Sequence, residues 1–508
     1  MKVLFTNAPW YKAPEGTKPG WRGVRAGSRW PHTFEYFSHT VRDGCILELV
    51  GGYLPFPLWL ATAAAFARRE GLDFRLRDSI SMGETYESYY DFVREYAPDV
   101  VVLETSTPTV RVDLAIAARL RELVPGVKVL FTGLHFELEQ VSFLENHPEV
   151  DFAIHGEYEI SATKLLRALR DGTSLEAVPA LMYRSGASIR KNPFGTLVEL
   201  AKFPWAEREG LPNLNYFDGV CGLPRPQLQL MATRGCPYGC IFCAWPQMLY
   251  RGPTYRKRPA QDVVDEIKAN LDKLPYKSIY IDDDTVNISK TYVVELATKL
   301  REAGIGGRVP WSTMGRADLM DQPTLAALRD AGLFSIKYGV ESANQAILDE
   351  IDKRAKLDNV LEMVRLTKEY GIRVHLTYTF GLPSDTPETI ERTIEVACAL
   401  PVDTVQFSIA TPFPGTEMYR MYEEKGWIAS KNWDDYIGSN SAVSRTQNFT
   451  GEQLEFYVAE AYRRFAEAQT ARGVQSAEVP EKLHAAATNT LSAGDPVLVM
   501  QTSRTPLT

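Results

Sequence analysis

Short apolar runs alternate with longer amphipathic stretches from the amino terminus to about residue 170. The apolar runs are rich in β-branched residues and predict strands at residues 3–6, 73–77, 100–104, 127–131 and 152–155. The amphipathic stretches predict helices at residues 57–69, 86–96, 112–123 and 160–170. This alternation favours a parallel sheet covered on both faces, whose ligand crevice lies at the carboxyl ends of the strands.

An irregular segment interrupts this alternation between residues 11 and 53. It contains several prolines and the aromatic residues Trp21 and Trp30. A loop of this length inside a compact domain is usually functional, and its aromatic content argues against disorder. A packed surface flap is the simpler interpretation. Basic residues beside the tryptophans would also suit an anionic small molecule such as a phosphonate: Arg22, Arg25 and Arg29.

A second series of strands and helices follows a stretch without clear periodicity. Residues 178–226 predict a hairpin at 180–191 and then a proline-rich connector. Strands are then predicted at residues 227–233, 278–282, 309–314, 333–339, 373–380 and 404–410. Six strand–helix units predict a partial barrel, in which chemistry lies on the loops at the carboxyl ends of the strands. One more helix is predicted at 452–471, followed by a mobile tail.

These patterns predict an α/β fold with four segments. Residues 1–175 form a Rossmann-like domain, residues 176–226 a connector and residues 227–430 a partial (βα)6 barrel. Residues 431–508 form a helical carboxyl-terminal extension that includes the tail.

The composition changes this picture little. The chain has 508 residues, of which 45% are apolar and 24% charged, as expected for two or three globular domains. Its net charge of −8 offers no general attraction to a phosphate backbone, which argues against a nucleic-acid partner. We find neither a signal peptide nor a long apolar span, and we expect a cytoplasmic, monomeric protein without a membrane span.

Cysteine is the residue type that carries the clearest chemistry. Three of the six cysteines lie within eight positions, directly after the first strand of the second series: Cys236, Cys240 and Cys243. Gly235 and Gly239 allow a turn tight enough for the sulfurs to converge. Three thiolates do not close a tetrahedral zinc site, and no second pair follows at finger spacing. An iron–sulfur cube with one iron free of protein ligands fits better. The remaining cysteines are scattered and predicted to be bystanders: Cys45, Cys221 and Cys398.

The spacing Cys-x3-Cys-x-aromatic-Cys, with Phe242 in the aromatic position, resembles the signature of the radical SAM enzymes. The resemblance implies a 4Fe–4S cluster whose open iron binds S-adenosylmethionine and cleaves it reductively to a 5′-deoxyadenosyl radical. It also implies an external electron donor such as a flavodoxin or ferredoxin. A zinc site with a distant fourth ligand, or three unrelated cysteines, are the alternatives.

Residues at the ends of later strands match positions where this family binds S-adenosylmethionine. Asp282 and Asp283 could accept hydrogen bonds from its amino group or ribose, and Arg316 could pair with its carboxylate. Each of these residue types is also common in turns and on surfaces. The stronger argument for a binding site is that these residues all lie at strand ends and therefore at the same rim of the predicted barrel. The fourth strand ends in three further candidates: Gly339, Glu341 and Ser342.

A five-stranded α/β domain in front of such a barrel is similar to the cobalamin-binding domain of the cobalamin-dependent radical SAM enzymes. The resemblance covers roughly residues 1–430 and implies that strand-end loops hold cobalamin. Asp151 and His155 do not match the Asp-x-His-x-x-Gly motif that supplies a cobalt ligand in other corrinoid proteins, so we expect no such histidine ligand. The candidate loop residues are Thr105, Ser106, Thr107, Gly133, Leu134, His135, Gly156 and Glu157.

The resemblance implies a methyltransferase that moves a methyl group from methylcobalamin to an unactivated carbon, or a phosphinate phosphorus, of a small molecule. Natural-product intermediates are typical substrates of this group. A non-methylating cyclase or ring-rearranging enzyme is the alternative within it, and a corrinoid carrier is the alternative outside enzymes. The methylthiotransferases are nearly excluded, because their second cluster needs three cysteines where this chain has only Cys45.

Overall fold

The computed structural model describes residues 1–9, 39–42, 45–49, 53–135, 141–218, 220–436 and 442–472. Most of the irregular segment at 11–53 lies outside these residues, as does the predicted tail. Two short strands within the segment, β2 (His39–Arg42) and β3 (Cys45–Leu49), pair in antiparallel fashion.

The first half of the chain forms a seven-stranded sheet with the order β10-β9-β8-β7-β6-β1-β5. The five predicted strands are parallel neighbours within it, which confirms the predicted α/β class. The strands of this half, with the short β4 that lies outside the sheet, are β1 Lys2–Asn7, β4 Tyr53–Leu54, β5 Asp73–Asp78, β6 Val100–Glu104, β7 Lys128–Gly133, β8 Phe152–His155, β9 Leu181–Ser185 and β10 Ser188–Lys191.

Helices cover both faces of this sheet because its strands are apolar on both sides. In β1, Val3 and Phe5 belong to one apolar cluster, whereas Leu4 belongs to a cluster on the opposite face. The described helices of this half are Leu58–Arg69, Ser79–Met82, Tyr86–Tyr96, Val110–Leu123, Val141–Asn146 and Glu159–Asp171.

The predicted hairpin belongs to the first sheet and not to a connector. β9 pairs antiparallel with β8, with Ala153 opposite Met182, and β10 forms the outer edge. Leu181 and Met182 are fully buried, so apolar burial attaches the hairpin to the sheet. The sequence predicts the hairpin, but its place at this edge depends on contacts that local pattern does not encode.

The second half forms a six-stranded, entirely parallel sheet with the order β12-β15-β16-β17-β18-β19, which confirms the predicted partial barrel. The short strands β11, β13 and β14 lie outside it. The strands are β11 Phe217–Asp218, β12 Gln227–Leu230, β13 Thr233–Arg234, β14 Arg256–Lys257, β15 Ser278–Ile281, β16 Trp311–Gly315, β17 Leu333–Glu341, β18 Arg373–Phe380 and β19 Thr404–Ile409.

Helices pack on the outer face of this barrel. The last of them lies against the helix Pro387–Ala399, and its Leu454 packs against Gly381 at the end of β18. No helix in the described part of the chain is long and apolar enough to cross a bilayer. The α-helices of this half are Ala260–Lys273, Lys290–Glu302, Ile305–Arg308, Gln322–Asp330, Gln345–Glu350, Leu357–Glu369, Pro387–Ala399, Glu417–Glu424 and Gly451–Ala471.

Candidate cluster and cofactor site

The cysteine loop begins at the end of the first barrel strand and is closed by a small strand pair. β13 and β14 pair antiparallel, with Arg234 opposite Arg256, so that residues 235–255 form one loop. Gly235 has φ +98°, and a Cβ atom there would lie 2.4 Å from the carbonyl oxygen of Thr254. Only glycine fits this crossing without moving the backbone.

Asp283 fixes the start of this loop. Its Oδ1 accepts the backbone N–H groups of Ala232 and Thr233 at 2.8 and 2.9 Å, and its Oδ2 accepts the Thr233 hydroxyl at 2.8 Å. The carboxylate is fully buried. Asp283 therefore supports the chain that leads into the cysteines, and its contact with S-adenosylmethionine stays a prediction.

Asp284 ties the loop at two more points. Its Oδ2 accepts the Gly235 N–H and the Tyr250 hydroxyl, both at 2.7 Å. Thr285, the next residue, places its hydroxyl 4.0 Å from the sulfur of Cys236. The end of β15 thus holds both arms of the cysteine loop, while Asp282 beside them is buried.

The three cysteine thiols are largely buried and influence one another. Burial raises the pKa of each thiol, and it does so most strongly for Cys243. The positive charges of Lys353 and Arg316 oppose this rise at Cys240. Phe242, between the last two cysteines, packs against an apolar cluster that contains Ile241.

This donor set fits an iron–sulfur cluster. Among the described residues, no three His, Cys, Asp or Glu side chains gather as ligands of one ion. Cys240 and Cys236 both raise the pKa of Cys243, so the three thiols lie near one another, and three thiolates on one loop are the protein ligands that such a cluster needs. The cations beside Cys240 would offset thiolate charge.

Arg316 lies beside the cysteine loop but is held by neighbours. Its guanidinium donates to both carboxylate oxygens of Asp318, at 3.1 and 2.9 Å, and to the carbonyl oxygen of Lys353 at 2.8 Å. It also lies 3.7 Å from the ring centre of Tyr238. The predicted pairing with a methionine carboxylate would have to compete with Asp318.

A buried ion pair closes the end of β17. Glu341, with φ +71°, accepts from Lys353 at 2.7 Å and from the Thr379 hydroxyl at 3.1 Å. A Cβ atom at Gly339 would lie 2.5 Å from the Glu341 carboxylate, so a larger residue there would have to displace the ion pair. Ser342 points elsewhere, because its hydroxyl lies 3.5 Å from that of Thr393 on the helix Pro387–Ala399. The sequence analysis missed Lys353.

The predicted cobalamin loops of the first sheet form a compact group at β6 and β7. The Thr105 hydroxyl donates to Asp113, and Ser106 forms a reciprocal cap with Thr109 before the helix Val110–Leu123. Gly133 has φ +132°, and a Cβ atom there would lie 2.2 Å from the Thr105 carbonyl oxygen. Thr107 and Leu134 are buried beside them.

His135 is buried under the carboxyl-terminal extension. Burial lowers its pKa to about 3, and His147 adds to the effect. Its ring meets that of Trp433 edge to face at 5.5 Å. Arg111 fastens the same extension, since it donates to Asn432 at 3.1 Å and pairs with Asp434 at 3.3 Å. No sequence motif marks Trp433 for this position.

The loop after β8 contacts the cysteine loop directly. Arg234 pairs with Glu157 at 3.1 Å and with Glu159 at 2.6 Å, and Arg256 pairs with Glu157 at 2.5 Å. Arg234, Arg256 and Glu159 are buried, the Glu157 side chain is 9% exposed, and the Arg234 guanidinium lies 3.8 Å from the ring centre of Trp59. Burial raises the pKa of Glu159, which Arg234 opposes.

Glu157 lies on the predicted strand-end loop, and its carboxylate pairs with two arginines of the barrel half. Its contact with cobalamin stays a prediction. Gly156, with φ +75°, lies against the helical turn Trp245–Leu249, where a Cβ atom would come within 3.1 Å of the Leu249 carbonyl oxygen. The predicted cobalamin edge and the predicted cluster loop are thus in contact.

Comparison with known proteins agrees with this arrangement. The Radical SAM superfamily matches residues 230–397, and the B12 binding domain matches residues 45–166. An uncharacterized methyltransferase of Pyrococcus horikoshii is 26% identical over 425 residues, which is 83% of this chain and 90% of the relative. The anaerobic magnesium-protoporphyrin IX monomethyl ester cyclase of Cereibacter sphaeroides is 26% identical over 429 residues, 82% of this chain and 68% of the relative.

A solved structure shows the same fold. The radical S-adenosylmethionine methyltransferase TsrM from Kitasatospora setae, bound to tryptophan substrate and a SAM analogue, superposes with a TM-score of 0.62 over 74% of each chain, at 18% identity. The fold and the two matched regions define a radical SAM enzyme that carries a B12 binding domain. The chain belongs to the cobalamin-dependent radical SAM enzymes, whose cofactors are a 4Fe–4S cluster, S-adenosylmethionine and cobalamin.

Proposed function

We propose that this enzyme is a methyltransferase that acts on a small molecule. When bound, the cluster and S-adenosylmethionine supply a carbon radical that removes hydrogen from the substrate, and cobalamin supplies the methyl group that takes its place. Cys236, Cys240 and Cys243 hold the cluster in this proposal. Residues 227–430 form the radical domain, and residues 1–175 form the cobalamin domain together with the hairpin at 181–191.

The contact between the loop after β8 and the cysteine loop supports this proposal most strongly. A radical source and a methyl donor must both reach the same substrate atom, so their distance has to be fixed. Arg234 lies two residues before Cys236 and pairs with both Glu157 and Glu159. The chain thus ties the edge proposed for cobalamin to the loop proposed for the cluster.

Other residues keep water from this junction. Trp59 and Tyr250 are buried beside Arg234, and Trp433 covers His135 at the neighbouring edge. Asp283 and Asp284 hold the loop in place from the barrel side. A dry, fixed environment protects a reactive radical from side reactions.

Product analysis under anaerobic conditions tests the proposal. Protein made with cobalamin supplied, and reconstituted with iron and sulfide, should convert S-adenosylmethionine to both 5′-deoxyadenosine and S-adenosylhomocysteine when substrate is present. Iron, sulfide and cobalt analysis with an absorption spectrum establishes loading. Loaded protein that forms no S-adenosylhomocysteine would contradict methyl transfer.

A non-methylating cyclase is the second candidate, favoured by the similarity to the cyclase of Cereibacter sphaeroides. It would form 5′-deoxyadenosine without S-adenosylhomocysteine. A corrinoid carrier would need no cysteine triad, so Cys240→Ala would leave its activity intact. We expect Cys240→Ala to abolish formation of 5′-deoxyadenosine instead. The flavodoxin or ferredoxin donor and the monomeric state stay predictions.

A further inference from the structure

The inner wall of the barrel is polar. Alternate residues of each strand face the surrounding helices and form the apolar core, as Leu376 and Tyr378 of β18 and Phe407 of β19 do. The residues between them face the lumen and are hydrophilic along neighbouring strands: Gln229, Lys337, His375, Thr377, Gln406 and Ser408.

Part of this wall is accessible although it belongs to a central sheet. Lys337, Thr377 and Gln406 are only partly buried, whereas the residues on the opposite face of the same strands are mostly fully buried. Thr377 lies three residues before the end of β18, which places it about 10 Å below the rim that carries the cluster loop. The accessible wall therefore extends well below that rim.

The amino-terminal end of the lumen is closed. The Gln227 side chain donates to the backbone of Asp218 at 2.8 Å, and Arg373 donates to the carbonyl oxygen of Cys221 at 2.9 Å. The Cys221 sulfur lies 3.4 Å from the Thr404 hydroxyl. The segment that carries Asp218 and Cys221 thus forms a floor that covers this end of the lumen.

Charges on the lumen wall are balanced. Lys337 pairs with Asp218 of the floor at 3.4 Å, and Glu341 pairs with Lys353 near the rim at 2.7 Å. Burial lowers the pKa of His375 well below its usual value, so that its imidazole is neutral. The wall therefore presents hydroxyl, amide and imidazole groups to a ligand. It carries no net charge that a ligand would have to neutralise.

Two buried polar atoms on this wall lack a hydrogen-bond partner in the described structure. They are the Nε2 atoms of Gln229 and His375, whose side chains are 1% and 8% exposed. The other ring nitrogen of His375 is bonded to the Thr404 hydroxyl at 2.8 Å. Both atoms have almost no exposed surface, so they add to the polar character of this wall, and the groups open to a ligand are those of Lys337, Thr377 and Gln406.

We propose that the substrate is a polar molecule, rich in hydroxyl or amide groups, whose inserted part carries no net charge. This inference rests on the proposed function. A sterol-like substrate would leave the lumen amides and hydroxyls desolvated without partners, which is unfavourable. The polar lumen thus discriminates against apolar substrates.

Two extracts of cells of the source organism test the substrate class. Reconstituted holoenzyme is incubated with S-adenosylmethionine, a reductant and either an aqueous-methanol extract or a chloroform extract. We expect the aqueous extract, and not the chloroform extract, to stimulate formation of 5′-deoxyadenosine at least fivefold. Stimulation by the chloroform extract alone, or by neither extract, would overturn the proposal. The proposed function has its own contrary outcome: the aqueous extract would stimulate formation of 5′-deoxyadenosine but not of S-adenosylhomocysteine.

A matched pair of variants then tests the wall itself. Thr377→Val keeps the side-chain shape and removes one lumen hydroxyl. We expect it to raise the half-saturating amount of aqueous extract about tenfold without changing the unfolding temperature, and Thr377→Ser should restore the original value. Thr313→Val removes a hydroxyl that bonds the Ile281 carbonyl oxygen on the outer face, and it should leave half-saturation unchanged. Equal values for Thr377→Val and the parent enzyme would contradict the inference.

Discussion

His135 shows how burial changes the chemistry of one side chain. Its imidazole has a pKa of about 3 in the folded chain, against about 6.5 when exposed. Between these values the unfolded chain binds a proton that the folded chain does not. The free energy of unfolding should therefore fall as the pH drops below about 6.5, by about 2 kcal/mol at pH 5.

His135→Gln should remove this part of the acid sensitivity. Chemical denaturation of the parent and the variant at pH 7 and pH 5 measures it, and the parent should lose about 2 kcal/mol more than the variant. His147→Gln should reduce the loss only slightly, because His147 is a lesser cause of the lowered His135 pKa than burial is. An equal loss in parent and His135→Gln would show that His135 is not the buried neutral group described above.

Gly235 shows how one backbone position can decide whether a loop closes. A methyl group there would meet the Thr254 carbonyl oxygen at 2.4 Å, and that oxygen belongs to the opposite arm of the cysteine loop. We expect Gly235→Ala to separate the arms and to lower the iron and sulfide bound per chain after reconstitution by at least half.

Gly304→Ala provides the matched control for this substitution. Gly304 also has a positive φ, of +67°, but no atom lies within 4 Å of the added Cβ position. It should cost about 1 kcal/mol of backbone strain and leave the iron content unchanged. Equal iron content in the two variants would mean that the crossing of the loop arms does not matter for cluster binding.

The strands and helices were largely predictable from the sequence because their burial is periodic. β18 alternates Val374, Leu376 and Tyr378 on the helix side with His375 and Thr377 on the lumen side, a period of two that the sequence displays. The polar residues of the same alternation mark the lumen side of the strand, although no conclusion about the substrate was drawn from them in the sequence.

Contacts between distant segments were not predictable in this way. Glu157 was assigned to cobalamin because it follows a strand, and its partners Arg234 and Arg256 lie far along the chain. Lys353 and Trp433 carry no local motif, and only the folded chain brings them to Glu341 and His135. The cysteine loop was recognisable since its three thiols are neighbours in sequence.

The two sheets form one unit through several connections. β4 pairs with β11, and the Phe56 N–H donates to Gln229 of the first barrel strand at 2.7 Å. The carboxyl-terminal extension returns to the first sheet at Arg111. The largely buried group of Arg234, Arg256, Glu157 and Glu159 joins the sheets at the proposed cofactor edge.

Replacing Arg234 should weaken the contact between the two sheets more than replacing any exposed basic residue. Arg234→Met removes one charge from a buried group and leaves Glu159 without a partner cation, which should lower the free energy of unfolding by about 3–5 kcal/mol. Arg329→Met, at an exposed pair with Asp330, should change it by less than about 1 kcal/mol. Denaturation followed by tryptophan fluorescence measures both, and Arg234→Met should also split the transition in two if this group couples the sheets. Similar small effects of the two variants would show that the connection through β4 and β11 is sufficient to join them.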